Sequence, residues 1–181
     1  MVYEIHSRSF IAIDIPESIK EKFKSISIDQ SLRKVSIENI HITLLFLGNV
    51  PEARIKDVIA VLDSLNTESF DISIKGLGTF DGSMPRVLFA KIAANEKLEE
   101  IYGILYSKLE SICTLEKRGF IPHVTIARSK GHEGSRQIKD LVEKYGNTEF
   151  GIFKCNSVKL KKSLLSASGP VYSDLFVKTF Y

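Results

Sequence analysis

Apolar residues along the chain recur with two different periods, and this predicts a fold built from both strands and helices. Strand-like alternation covers five segments: Ser9–Ile15, Phe70–Leu77, Arg86–Ala93, Phe150–Leu160 and Val171–Phe180. Two further segments, Ile37–Leu47 and Gly119–Ser129, each contain a strand. Helical spacing covers four segments: Glu17–Ser25, Pro51–Leu65, Asn95–Ile112 and Arg136–Tyr145. Proline at the first position of a helix and asparagine at an N-cap favour helix starts at Pro16, Pro51 and Asn95.

The order of these elements is not a strict alternation of strand and helix. Strands follow one another in pairs between helices, which predicts an α+β fold with two antiparallel or mixed sheets and helices packed outside. Each half of the chain contains a strand, a helix, a strand that carries a histidine motif, and a further helix. We therefore expect residues 1–181 to form a single domain of two lobes, related by a pseudo-twofold axis around a central cleft.

The two histidine motifs are His41-Ile42-Thr43-Leu44 and His123-Val124-Thr125-Ile126. Side chains alternate across a strand, so the histidine and the threonine of each motif point to the same face, and the apolar residues point to the core. One such motif alone occurs by chance, and its histidine is more often structural or exposed than catalytic. Two copies in equivalent places of two similar halves favour a shared site.

The residue types in these motifs suit phosphodiester chemistry. An imidazole titrates near neutrality, so two of them can supply one acid and one base. Threonine hydroxyls are donors that suit phosphate oxygens. Two histidines do not fill a tetrahedral zinc shell, and neither motif has an acidic residue on the same strand face, so we expect no metal.

Charge and composition narrow the class of protein. The chain has 181 residues with 25 Lys and Arg against 22 Asp and Glu, a net charge of +3. This mild excess is compatible with a phosphate-bearing partner and weaker than in most duplex binders. No apolar run approaches the roughly 20 residues of a membrane span, and the N-terminus does not resemble a signal peptide. We expect a monomer in the reducing cytoplasm, with Cys113 and Cys155 unpaired.

The paired motifs resemble those of the 2H phosphoesterase superfamily, and most closely the RNA 2′,3′-cyclic phosphodiesterases, also called 2′-5′ RNA ligase-like proteins. The resemblance spans nearly the whole chain. It is carried by Arg8–Ile13 with Pro16, Glu38–Leu44 with Phe46–Gly48, Pro85–Leu88, Phe120–Arg128 and Gly169–Tyr172.

This resemblance implies hydrolysis of the 2′,3′-cyclic phosphate at an RNA end to a 2′-phosphate, without a cofactor, as a step of RNA processing such as that of tRNA. By position it implies that His41 and His123 are the catalytic pair, that Thr43 and Thr125 hold the phosphate, and that Arg128 helps at the phosphate or nucleotide. For a 2′-phosphate product the 3′ oxygen leaves, and we assign His41 as the acid and His123 as the base.

Several assignments stay open at the level of sequence. Phe46 stacks on a terminal base if the resemblance holds, but plain alternation puts it in the core unless a bulge intervenes. Arg86 has no assigned role. The basic residues Lys159, Lys161 and Lys162 either approach RNA or protect a solvated edge strand. Other functions with the same site are 2′-5′ RNA ligation, phosphodiester cleavage in cyclic nucleotides or 2′-5′ oligonucleotides, and non-catalytic binding of RNA ends.

Overall fold

The computed structural model describes residues 6–80, 82–117, 119–167 and 169–181. Its strands are β1 (His6–Asp14), β2 (Leu32–Lys34), β3 (His41–Pro51), β4 (Phe70–Gly78), β5 (Val87–Ile92), β6 (His123–Ser129), β7 (Glu149–Cys155), β8 (Ser157–Ser166) and β9 (Gly169–Thr179). Its helices are α1 (Glu17–Lys24), α2 (Glu52–Asp63), α3 (Glu96–Leu109) and α4 (His132–Tyr145), with a 3₁₀ turn at Ile37–Asn39. The α+β class predicted from the sequence is confirmed.

The strands form one antiparallel sheet in the order β7-β4-β5-β6-β3-β1-β8-β9, with β2 added beside β6. The two motif strands, β3 and β6, meet at the centre of this order through a single residue pair, Ile42 and Val124. Counting the motif strands, four strands of this order lie on each side of that junction, and β2 is a fifth on the side of β6. The two sheets expected from the sequence are thus one continuous sheet, joined through a single residue pair.

All four helices contribute to one apolar core on one face of the sheet. Phe23 of α1, Val58 of α2, Leu98 of α3 and Ile138 of α4 are buried in the same cluster as Ile42 and Val124. This leaves the opposite face of the two central strands free of helices. The amphipathic spacing seen in the sequence thus determines which face of the sheet is covered.

Helix starts follow the capping residues closely. Asn95 accepts a hydrogen bond from the backbone N–H of Leu98 at 3.0 Å, and α1 and α2 begin directly after Pro16 and Pro51. Because proline has no N–H to lose and asparagine satisfies one of the free amides, these residues stabilise the first turns.

The strand predicted within Ile37–Leu47 is present as β3, after a 3₁₀ turn at Ile37–Asn39. Two other predictions about elements need correction. The structure has three closing strands where the sequence predicted two. The predicted strand Phe150–Leu160 is interrupted at Asn156, and the chain continues as the β8–β9 hairpin. Helix α4 begins at His132, four residues before the predicted start at Arg136. The dipeptide Asp81-Gly82 is a turn signal in the sequence, and residue 81 lies outside the described residues.

Candidate active site

Four polar side chains of the two motifs share the face of the sheet that no helix covers. Ile42 and Val124, which pair across β3 and β6, are fully buried in the core. Neighbours on a strand point to opposite faces, so the residues that flank this pair point away from the core. His41 and Thr43 on β3, and His123 and Thr125 on β6, therefore surround the junction of the two halves of the sheet.

Backbone carbonyl groups fix the tautomer of both imidazoles. The Nδ1 of His41 lies 2.7 Å from the carbonyl oxygen of Asn39, and that of His123 lies 2.7 Å from the carbonyl oxygen of Ile121. A carbonyl oxygen only accepts, so each Nδ1 carries a proton and donates it. Each Nε2 is then the nitrogen that exchanges a proton with a ligand.

The two Nε2 atoms differ in what they contact. That of His41 lies 3.0 Å from the hydroxyl of Thr43, which donates to it when the imidazole is neutral. That of His123 has no hydrogen-bond partner in the described part of the chain. The lone pair of His123 is therefore open to a ligand, while that of His41 is held by a neighbouring hydroxyl.

Aromatic rings enclose both histidines in a similar way. Phe10 and Tyr172 lie 5.0 and 5.4 Å from the ring of His41, and Phe89 and Phe80 both lie 5.1 Å from the ring of His123. These aromatic neighbours come from other strands or, for Phe80, from the segment after β4. Motif reasoning alone did not identify their roles, because their contacts depend on how the strands are ordered.

Burial in these aromatic surroundings lowers the pKa of both imidazoles. Desolvation is the largest cause for His41, whose pKa falls to about 4, with further lowering by the charges of Lys161 and His123 and partial compensation by Asn39 and Asp14. Desolvation also lowers the pKa of His123, and the positive charge of Arg128 adds to this. Both imidazoles are therefore neutral near pH 7 in the ligand-free protein.

A β-bulge after each threonine changes which residues face the site. In β3 the register shifts against β1, so Leu44 and Leu45 are both buried and Phe46 returns to the open face with 57% of its surface exposed. In β6 the register shifts against β5 at Ile126, and Arg128 is exposed. Phe46 and Arg128 thus occupy equivalent places, five residues after each histidine. The alternation that placed Phe46 in the core is wrong, and the bulge exposes it.

The charge of Arg128 acts on titratable groups in both halves of the sheet. Its charge lowers the pKa of His123 on one half, and it opposes the rise in pKa that burial causes at Tyr172 on the other half. Arg86 is exposed just before β5, and its backbone carbonyl accepts a hydrogen bond from the N–H of Ser129. Among the described residues, no hydrogen bond or ion pair joins the Arg86 side chain to the two motifs.

The three lysines on β8 do not form a free basic patch. Lys159 and Lys161 each bond to both Asp14 and Asp174 at 2.6–3.0 Å, which closes a four-membered ring of alternating charges. Lys162 lies 3.5 Å from Glu52. Moreover, β8 lies between β1 and β9, so the edge-strand interpretation of these lysines is wrong. Asp14 pairs with His41 in the β1–β3 register, which places the ring beside the first histidine.

The described residues hold neither a cluster of metal-binding side chains nor a membrane-spanning helix. Over the described residues, no three His, Cys, Asp or Glu side chains come together as a metal site requires. No helix in the described part of the chain has both the length and the apolar character needed to cross a bilayer.

Comparison with known proteins places this geometry among related sequences and structures. A family model described as "AKAP7 2'5' RNA ligase-like domain" matches residues 12–173. A protein of Methanocaldococcus jannaschii named RNA 2′,3′-cyclic phosphodiesterase is 38% identical over 91% of this chain and 96% of its own length. One of the same name from Archaeoglobus fulgidus is 34% identical over 94% of this chain and 98% of its own. The crystal structure of E. coli LigT in its apo form has a TM-score of 0.80 at 22% identity, covering 98% of this chain and 99% of LigT.

Proposed function

This chain belongs to the AKAP7 2′5′ RNA ligase-like domain family of the 2H phosphoesterase superfamily, and we propose that it hydrolyses 2′,3′-cyclic phosphate ends of RNA to 2′-phosphate ends. The relatives named RNA 2′,3′-cyclic phosphodiesterase support this reaction, because they align over almost their whole length. The observation that carries the proposal is the pair of imidazoles with Nδ1 tied to backbone carbonyls, set on one open face with two threonines. Such a set matches the needs of an in-line displacement at phosphorus.

The proposed reaction uses one histidine on each side of the phosphorus. The Nε2 of His123 takes a proton from water, and the water oxygen forms a bond to phosphorus. The bond from phosphorus to the 3′ oxygen breaks, and the Nε2–H of His41 gives its proton to that oxygen. The products are a 3′-hydroxyl and a 2′-phosphate monoester. His123 then releases one proton to solvent and His41 takes one up, so the pair is reset with no net change in its protons.

The assignment of the base rests on the open lone pair of His123. In the same geometry, His41 must gain a proton before it can act as the acid, since its pKa in the free protein is about 4. A bound phosphodiester supplies a negative charge beside the imidazole, and this raises the pKa of His41 and stabilises the imidazolium. Substrate binding and proton uptake are therefore coupled in the proposed mechanism.

The threonines and Arg128 have binding roles in this proposal. Thr43 releases the Nε2 of His41 when that nitrogen is protonated, and its hydroxyl then donates to a phosphate oxygen. Thr125 occupies the equivalent place on β6. Arg128 offers a planar guanidinium that pairs with phosphate oxygens, and the exposed ring of Phe46 offers a face on which a base stacks.

The test is hydrolysis of a short RNA that ends in a 2′,3′-cyclic phosphate, with a chelator present throughout. The product is compared chromatographically with 2′- and 3′-phosphate standards. We expect the 2′-phosphate, and we expect His41→Gln and His123→Gln each to lose at least roughly 100-fold in turnover. His132→Gln is the matched control, because His132 is exposed at the start of α4. A 3′-phosphate product, or full activity in either motif variant, contradicts the proposal.

We also propose that the whole chain works as one monomeric domain in the cytoplasm on RNA-processing fragments, including those of tRNA. Both histidines come from one chain, so the site needs no second copy. Cys113 and Cys155 are free, as suits a reducing compartment. Sedimentation at micromolar concentration tests the monomer, and sequencing of RNA ends in cells with and without the protein tests the substrate pool.

A further inference from the structure

Two arginines lie side by side at one end of the open face. Strand β2 pairs with the end of β6, and Arg33 is the direct cross-strand partner of Arg128. Leu32 is buried in the core, so the alternation of β2 turns Arg33 to the opposite face, which is the face that carries the two motifs. Lys34 turns back and donates to the carbonyl oxygen of Ile26.

This arrangement is unfavourable for the isolated protein. Like charges directly opposite each other on neighbouring strands destabilise a sheet. Both arginines are exposed, and within the described residues neither forms an ion pair with a carboxylate. The other neighbour of Arg128 is the uncharged Val87 on β5. No carboxylate among the described residues therefore pairs with the two positive charges, and an anionic ligand would compensate them.

The position of the two arginines relative to the motifs indicates which part of a ligand they would contact. Because β3 and β6 are antiparallel, Phe46 and Arg128 extend in opposite directions from the pair Ile42–Val124. Each lies four residues from that pair, or about 13 Å along its strand at about 3.3 Å per residue. When a base stacks on Phe46 and the reacting phosphate lies between the histidines, Arg33 and Arg128 lie on the side of that phosphate opposite to the base.

We propose that Arg33, set beside Arg128, provides a second phosphate site for the RNA backbone upstream of the reacting end, so that the protein acts preferentially on oligonucleotides rather than on cyclic mononucleotides. This inference rests on the proposed function and names its substrate class. Arg128 reaches toward the reacting phosphate, and Arg33, set beside it on β2, contacts the next phosphodiester along the chain. Guanidinium groups suit this role because each presents paired donors to phosphate oxygens.

The test compares two substrates and three variants. The substrates are a decamer RNA ending in a 2′,3′-cyclic phosphate and cytidine 2′,3′-cyclic phosphate, which has no upstream phosphate. Arg33→Ala removes the proposed contact, and Arg33→Lys keeps the charge. Arg136→Ala is the matched control, because it removes one exposed arginine from α4, on the helix-covered face.

We expect Arg33→Ala to raise KM for the decamer about tenfold, with kcat unchanged and with cytidine 2′,3′-cyclic phosphate hydrolysed as before. Arg33→Lys should recover most of the loss, and Arg136→Ala should resemble the unaltered protein. Equal losses on both substrates would place Arg33 at the reacting phosphate or in the fold and would overturn the inference. So would a decamer KM in Arg33→Ala no higher than in Arg136→Ala.

A binding measurement separates this inference from the proposed function. Fluorescence anisotropy with a decamer ending in a 2′-phosphate needs no turnover. Arg33→Ala should weaken binding and reduce the slope of log affinity against log salt by about 0.7, the value for one contact to single-stranded nucleic acid. If the unaltered protein hydrolyses neither substrate, the proposed function fails, and this slope still decides whether Arg33 binds the backbone.

Discussion

The depressed pKa of His41 predicts that this one side chain weakens the fold as the pH falls. An unfolded histidine titrates near 6.5, whereas His41 in the folded protein titrates at about 4. Between these values the unfolded chain binds a proton that the folded chain does not, so acid favours unfolding. The contribution is complete above pH 6.5 and is lost as the pH falls toward 4.

The size of the effect follows from the two pKa values. At one pKa unit per roughly 1.4 kcal/mol, lowering the pH from about 7.5 to about 5 costs roughly 2 kcal/mol of unfolding free energy through His41 alone. The cause is burial against Phe10 and Tyr172 and the nearby charge of Lys161, which outweigh the carbonyl of Asn39 and the carboxylate of Asp14.

Urea unfolding at the two pH values measures this loss in the unaltered protein and in His41→Gln. All other titrating groups are common to both proteins, so the difference between the two pH dependences isolates His41. We expect the unaltered protein to lose about 2 kcal/mol more than the variant over this range. Equal pH dependences, or an NMR titration that finds His41 protonated at pH 6.5, would refute the reasoning about burial.

Three further perturbations test other parts of the site. Thr43→Val removes the hydroxyl that bonds to His41 at 3.0 Å, and we expect KM for a cyclic-phosphate RNA to rise about tenfold with little loss of stability, as steady-state kinetics and thermal unfolding would report. Phe46→Ala should weaken binding of a 2′-nucleotide by about 1–3 kcal/mol in calorimetry and leave Tm nearly unchanged, because the ring is mostly exposed. Asp14→Asn removes one of the two carboxylates that hold Lys161, whose surface is only 8% exposed, and should destabilise the fold by roughly 1–3 kcal/mol in urea unfolding while lowering the pKa of His41 further.

Sequence signals within a few residues correctly predicted the helix starts and the residues that share a face of a strand. Asn95, Pro16 and Pro51 marked helix starts correctly, because capping depends on residues within one turn. The shared face of His41 and Thr43 followed from strand alternation in the same way.

Features that depend on neighbouring strands were not predictable from the local pattern. The bulge that exposes Phe46 arises where β3 shifts against β1, and no residue of the motif specifies it. The pairing of Lys161 with Asp14 and Asp174 joins the β8–β9 hairpin to β1, which lies at the opposite end of the sequence. A one-residue change of register moves every later side chain of a strand to the opposite face. The wrong core position predicted for Phe46 follows from this two-residue period.

The two bulges also decide whether the histidines are interchangeable. Around the pair Ile42–Val124 the polar groups are nearly symmetric, and a symmetric cleft would accept a nucleotide in either of two orientations. The equivalent positions beyond the bulges break this symmetry, since one carries the ring of Phe46 and the other the charge of Arg128. A substrate with a base at one end and a phosphate chain at the other then fits in only one orientation. Under the proposed function, near-identical motifs can therefore have distinct acid and base roles. The difference between the two ends of the substrate, rather than a difference between the histidines, assigns those roles.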